Sequence, residues 1–538
     1  MRLTDFAPSL CVALSLAACH PLYTESGSQT SDAPAPETSA PSTGAETDAP
    51  AEELPEICAA PLSEVMDAAV LREHLASLAT IAAQHDGHRA AGSGGYKASL
   101  EYVEARLKAA GYETQRVPFE YPDYVLLSPP ALEQVTPSAV TYSEGEDFEV
   151  FKFSGAGDVT APIAPVNLAL DPAVPSSSGC VEEDFAGFPA GAIALIQRGD
   201  CYFRTKAANA EAAGASAVII FNSGVDEDTQ APLSSSLGSA TEIAVPVVFA
   251  SFPLGAALAE QAASPEFTLR VLVDGERVSA VDENLVAEHP GGDPQDVVML
   301  GAHLDSVPAG PGINDNGTGS ATVLAIAEAM AACEPVRGVR FAWWGAEELG
   351  LWGSTRYVES LDQAARDRLA VYLNFDMVGS PNHVRFVYTS TGAPPGSAAV
   401  EELFNRFFAD YDAVPAIAAS LGGRSDYYAF QQAGIAIGGL FTGAGSSKTT
   451  DQAEVYGGEV DVALDPCYHL ICDTHDNVDE PVLLEMARAA AYVSEQLARD
   501  PAPLVDPASA RPAGVGLSAA VHGEHGDHGD HACGHPER

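Results

Sequence analysis

The chain has 538 residues and a mass of 55.7 kDa, with 75 acidic against 26 basic side chains and a formal net charge of −49. That length exceeds one ordinary core and predicts about two to four structural units. A hydrophobic content of 46% lets most of the chain order, and the acid excess excludes nucleic-acid phosphate or an anionic membrane surface as the main partner.

The N-terminus reads as an address. Arg2 precedes an apolar stretch too short to span a membrane as a mature helix. It closes on Leu16-Ala17-Ala18-Cys19, which resembles the bacterial lipoprotein box. Cleavage there leaves Cys19 to be acylated and anchors the chain to an outer membrane or cell surface; the alternative is an ordinary signal and a periplasmic or secreted protein. Residues 20–57 are rich in Ser, Thr, Pro, Ala and acids, have no Lys or Arg, and predict a disordered spacer. Export permits disulfides. Of nine cysteines, Cys11 leaves with the signal. Cys467 with Cys472, and Cys180 with Cys201, are the expected bridges. Cys58 with Cys333 would be a third and would leave Cys533 over, but the pairing of these three stays open, because spacing alone does not fix connectivity.

From residue 58 to 125 the pattern is helical and then extended. Leu71, Leu75, Leu78 and Ile81 recur at three- and four-residue steps, and Tyr102, Leu107 and Ala110 continue the theme to Gly111. Glu113 to Phe119 predicts a strand. Residues 126–280 then change to short β-rich runs, such as Gly191 to Ile196 and Ala217 to Phe221, between Gly, Ser and Pro turns. Arg198-Gly199-Asp200-Cys201-Tyr202-Phe203 and Lys206 resemble the protease-associated (PA) domain. That resemblance implies a non-catalytic insert beside a peptidase site.

Residues 281–500 alternate strand and helix. Val297 to His303, Val339 to Trp344 and Leu369 to Phe375 are apolar strand-like runs, and helical patterns follow, for example Ala321 to Ala332. The fold class predicted is α/β: a mostly parallel mixed sheet covered by helices on both faces, with the β-rich insert attached. Sites in such sheets form beyond the carboxyl ends of strands. Metal-capable side chains fall there: His303 with Asp305, Asp315, the Glu347-Glu348 pair, Asp376, and His469. Two imidazoles with three carboxylates match a two-metal zinc site having one bridging ligand, with one Glu to spare as a base. No His-Glu-x-x-His, Gly-x-Ser-x-Gly or Walker A motif occurs.

The segments GAHLDSVPAGPGINDNGTGSATVL, RFAWWGAEELGLWGS, YLNFDMVGSPN, GGLFTGAG and CYHLICDT resemble the secreted di-zinc leucyl aminopeptidases of the Streptomyces type. The resemblance implies two Zn2+ per chain, a zinc exopeptidase fold, and peptide or protein N-termini as substrate. His303 and Asp376 would serve one zinc, Glu348 and His469 the other, with Asp315 bridging. Asp305 would orient His303. Glu347 would be the general base acting on a zinc-bridging water, and Tyr468 a phenol stabilising the oxyanion. Arg424 and Asp426 match a loop near the substrate amine; Met377 and Phe441 match walls of an apolar side-chain pocket. His475 is read as a rim residue, because Tyr468-His469 followed by Asp473-Thr474 satisfies the ligand pattern. Leu484 and Arg488 stand where the Streptomyces enzymes carry calcium-binding carboxylates, so no calcium site is expected.

The chain ends in a linker and a His-rich tail over residues 501–538. His522, His525, His528, His531 and His535, with Cys533, have metal affinity but no fixed geometry. The expectation is an exported zinc aminopeptidase preferring large apolar N-terminal residues. The rivals are a carboxypeptidase or amidohydrolase on the same fold, and an inactive receptor-like binding protein.

Overall fold

The computed structural model describes residues 55–499, apart from 172, 226–228, 241 and 265, together with residue 504. The signal with Cys11 and Cys19, the spacer up to residue 54, and the His-rich tail with Cys533 lie outside them.

Eight strands form the main sheet: β1 (Glu113–Leu126), β2 (Gly275–Glu288), β3 (Asp293–His303), β4 (Arg337–Trp344), β5 (Leu369–Phe375), β6 (Phe386–Tyr388), β7 (Ile417–Ala419) and β8 (Ala436–Phe441). Their order is β1-β2-β4-β3-β5-β8-β6-β7. The centre is parallel, with β3 between β4 and β5, and β5 beside β8. The β1–β2, β2–β4 and β6–β8 pairs are antiparallel. Alternation sorts the side chains of the buried central strands. Val298, Leu300, Ala302, Val339, Phe341, Trp343, Val371 and Leu373 face one core. Val297, Met299, Ala342, Trp344 and Tyr372 face another. Both faces are therefore covered, and the central strands read as continuous apolar runs.

Helices Ala68–Gln84, Gly94–Ala110, Gly319–Met330 and Glu480–Arg499 supply the first core; Trp352–Ser360 and Tyr427–Gln432 supply the second. Local signals start and stop them. The Asp67 carboxylate accepts from Ala69 N–H at 2.8 Å, the Ser93 hydroxyl from Tyr96 N–H at 3.2 Å, and Gly111 closes the second helix at φ 96°. The buried stripe of the first helix runs through Leu71, His74, Leu75, Leu78 and Ala82. Ile81 lies off it and is half-buried, because a residue ten positions after Leu71 is turned about 80° away from it.

β1 extends past Phe119 to Leu126 and pairs with β2 along its whole length, from Glu113 opposite Glu288 to Leu126 opposite Gly275. This ribbon carries the insert. Within the insert a four-stranded sheet packs on a five-stranded one, with the strands 163–165, 193–197, 217–221 and 247–250 mutually parallel. Helix Phe203–Ala212 covers the far side, which buries every residue of Ile193–Gln197 and Ala217–Phe221. Three disulfides are present among the described residues: Cys58–Cys333, Cys180–Cys201 and Cys467–Cys472. No helix among the described residues is long and apolar enough to cross a membrane.

Candidate active site

The parallel centre of the sheet aims the carboxyl ends of β3, β4, β5 and β8 at one place. β3 ends in His303; the turn after β4 holds Glu347 and Glu348; Asp376 follows β5 directly. The Ile313–Thr318 turn before helix Gly319–Met330 contributes Asp315, and a disulfide-closed loop contributes His469. Five segments of the chain thus converge. The backbone there is bent: Ala346, Met377 and His469 all have positive φ, at 53°, 50° and 59°. Such conformations cost free energy and persist where packing overrides them.

The metal-capable atoms face one another closely. His303 Nε2 lies 3.3 Å from Asp315 Oδ1, 3.3 Å from Asp376 Oδ1 and 4.0 Å from Glu347 Oε2. His469 Nε2 lies 3.2 Å from Asp315 Oδ2 and 3.1 Å from Glu348 Oε2. Asp315 therefore turns one oxygen toward each histidine. Zinc–ligand bonds of about 2.0–2.1 Å at tetrahedral angles set donor atoms about 3.3 Å apart, which matches these contacts. Glu348 Oε1 is buried with no hydrogen-bond partner, so a cation would satisfy it. The donor set fits zinc.

The electrostatics agree. Burial, then Asp376, Glu348 and Asp426, push the Glu347 carboxyl well above its ordinary range, and burial with Asp315 pushes Glu348 up to about 7. Burial opposes charge on His469, but Glu348 and Asp315 outweigh it and raise the imidazole to about 10. His303 is likewise raised, burial being outweighed by Glu347 and Asp376. Burial is overridden at Asp315, which His303 and His469 hold well below the carboxylate range. Without a cation, the cluster balances its crowded negative charge with protons.

Supporting contacts fix these groups. His303 Nδ1 lies 3.1 Å from the Asp305 backbone carbonyl and 3.7 Å from its carboxylate. The Asp305 carboxylate instead accepts the Glu347 and Glu348 amides at 3.2 and 3.3 Å. Asp305 thus orients His303 mainly through its backbone and secures the Glu pair with its side chain. Asp473 was legible only as part of a pattern. Its carboxylate accepts the Asn314 amide at 2.8 Å and the Asp315 amide at 3.0 Å, holding the Asp315 turn. Tyr468 stacks on His469 with centroids 3.8 Å apart. Burial and then Asp315 and Glu348 raise its phenol well above the ordinary value, so it stays a donor.

Residues 284–494 match Peptidase family M28 and residues 159–258 match the PA domain. The chain is 44% identical over 462 residues to an aminopeptidase of Pseudomonas aeruginosa, covering 83% of this chain and 85% of that one. The chain belongs to the M28 peptidase family. It is also 36% identical over 443 residues to leucine aminopeptidase 2 of Trichophyton rubrum, covering 80% and 84% of the two chains. Among solved structures, a zinc aminopeptidase from Bacillus subtilis superposes with a TM-score of 0.64 at 25% identity, covering 83% of this chain and 97% of that one. An aminopeptidase from Aneurinibacillus sp. strain AM-1 gives 0.63 at 28% identity, covering 82% and 97%.

In this M28 peptidase the remaining candidate residues separate. Arg424 is exposed, whereas Asp426 is fully buried beside Ser354 and pushed by burial up to about 7. The two do not present together. The residue between them makes the contact that the motif did not reveal: the Ser425 hydroxyl donates to Asp376 Oδ2 at 2.6 Å. Ser425 in turn accepts from Asn374, whose side-chain oxygen accepts from Tyr372, which accepts from Trp344. Met377 is buried and Phe441 half-buried. Phe375 pairs with Leu440, so the strand ends that carry them lie side by side. His475 faces Glu480, 3.4 Å away, rather than the cluster.

Proposed function

We propose that the protein is an exported di-zinc aminopeptidase that removes large apolar N-terminal residues from peptides. The observation that carries this reading is Asp315, whose two oxygens face His303 and His469 on opposite sides. His303, Asp376 and Asp315 would hold one zinc, and Glu348, His469 and Asp315 the other. Zinc at these donors supplies Lewis-acid polarisation of the scissile carbonyl and lowers the pKa of attacking water.

The chain's own groups do the rest. Glu347 takes a proton from the water as its oxygen bonds to the carbonyl carbon. The Tyr468 phenol donates to the developing oxyanion. As the carbon–nitrogen bond breaks, Glu347 returns the proton to the leaving amine. The acidic lining receives the substrate ammonium and disfavours a substrate carboxylate, which separates this reading from a carboxypeptidase. Met377 and Phe441 wall the side-chain pocket. The three disulfides suit an oxidising compartment. Cys19 supplies a lipid anchor at the cell surface.

The test compares leucine para-nitroanilide, its N-acetylated form and a dipeptide with a blocked N-terminus, with and without chelator. Rapid, chelator-sensitive cleavage of the free-amine substrate alone supports the reading. Equal cleavage of the acetylated substrate, or full activity after complete zinc removal, overturns it.

A further inference from the structure

Between His303 and Asp315 the chain runs through residues 304–312, which form no helix or strand. No regular ladder pairs the carbonyls of that loop; Gly312 O accepts the Gly317 N–H at 3.0 Å, and the Ser306 hydroxyl lies within reach of Val307 O and Gly310 O at 3.0 and 3.1 Å. One side chain from far upstream donates to three of them. Arg89 lies between helices Ala68–Gln84 and Gly94–Ala110 and is 0% exposed. Its guanidinium donates through Nε to Pro311 O at 2.9 Å, through one terminal nitrogen to Leu304 O, and through the other to Gly312 O at 2.5 Å. Its backbone N–H also donates to Ser306 Oγ at 3.0 Å, and its carbonyl accepts from Ser306 N–H at 3.4 Å. The segment carrying Arg89 is itself tied to the sheet, because Gly92 N–H donates to Asp282 Oδ2 on β2 at 2.7 Å.

Leu304 is the residue after His303, and Gly312 stands three before Asp315. One planar cation therefore clasps both ends of the loop that sets two ligands against each other. We infer that Arg89 is a positioning residue for the metal site: its three-pronged guanidinium fixes the spacing of His303 and Asp315 before any cation binds. The inference rests on the di-zinc reading for its consequence in catalysis. Its structural content, loop fixation, does not. A lysine keeps the charge but has one nitrogen, so it cannot hold three carbonyls in the plane of a fork.

The test uses the full chain with Arg89→Lys and Arg89→Met. Arg89→Lys keeps a cation in the buried position and serves if Arg89→Met does not fold. Three readouts are taken: amide exchange over residues 304–315 in metal-free protein, zinc affinity by chelator competition, and the visible spectrum after cobalt substitution. The expected result for folded Arg89→Lys is faster exchange confined to 304–315, zinc affinity weaker by about 10–100-fold as for other supports of metal ligands, and an altered cobalt spectrum. kcat should fall while KM stays within about threefold, as for lost transition-state alignment rather than lost binding. Unchanged exchange, affinity and spectrum in a folded variant overturn the inference. A wild-type protein that bound no zinc would instead overturn the di-zinc reading, and the exchange measurement would still decide the role of Arg89.

Discussion

Glu347 and Glu348 are neighbours in sequence with different surroundings. Glu348 Oε2 lies 3.1 Å from His469, whereas the nearest histidine to Glu347 is His303 at 4.0 Å. This difference favours Glu348 as a ligand and Glu347 as the base. Glu347→Ala should keep its zinc by elemental analysis yet lose about 10²–10⁴-fold in kcat, the range for a general base; near-normal turnover would refute the assignment. The same groups fix the pH dependence of zinc uptake. Metal needs Glu348 deprotonated and both histidines neutral, but in the metal-free protein burial pushes Glu348 up to about 7, while the facing carboxylates raise His469 to about 10 and hold His303 well above its ordinary value. Below 7 Glu348 and both histidines must shed protons on binding; above 7 only the histidines must. Affinity should therefore climb steeply up to pH 7 and more gently beyond it. Calorimetry near pH 8 in two buffers of different ionisation enthalpy measures the proton released, and finding none would contradict the scheme.

At the scale of elements, the site depends on how closely helix Gly319–Met330 approaches the end of β5. A Cβ at Gly319 would lie 2.1 Å from the Phe375 carbonyl oxygen, a backbone atom that cannot swing aside. The missing side chain lets the Asp315 turn sit beside Asp376. Gly319→Ala should lower stability by about 1–3 kcal/mol through overpacking, read by urea denaturation, and should weaken zinc binding as well. A variant with wild-type midpoint and affinity would show that the close approach is not needed. Much of this level was legible: the strand runs ending at His303 and Trp344, the helix after Asp315 and the stop at Gly111 all follow from local pattern. Ala82 rather than Ile81 completes the buried stripe of the first helix, and spacing alone does not say which of the two faces the core. Ser425, Asn374 and Arg89 escaped notice because a polar residue whose partner lies dozens to hundreds of positions away carries no local signal.

At the scale of the molecule, the insert hangs from a ribbon whose last pair is Leu126 opposite Gly275. Among the described residues, none of the insert's side chains appears among the metal-capable residues or their hydrogen-bond partners. Replacing 127–274 with an Asn-Gly turn, which suits a two-residue hairpin, should leave a folded peptidase body. Its kcat/KM on leucine para-nitroanilide should stay within about tenfold of wild type, since none of its side chains bonds to the metal-capable residues. A folded deletion that retained zinc but lost more than about a hundredfold would place the insert in the site itself. The net charge of −49 belongs mostly to neither site nor insert; it is best understood as a solvated surface spread over the body.

The sequence by itself determined the metal-capable residue types, their order and their strand-end setting. These are local features, because an α/β chain must place its chemistry where strands turn into loops. Only the tertiary structure decided which atoms meet. Tertiary packing brought five segments to one point, aimed the two oxygens of Asp315 at different histidines, and turned the Asp305 carboxylate toward two amides. It also delivered Arg89, from the connection between helices Ala68–Gln84 and Gly94–Ala110, to the loop between His303 and Asp315. Such contacts depend on three-dimensional closure between distant segments, and residue spacing along the chain does not encode them.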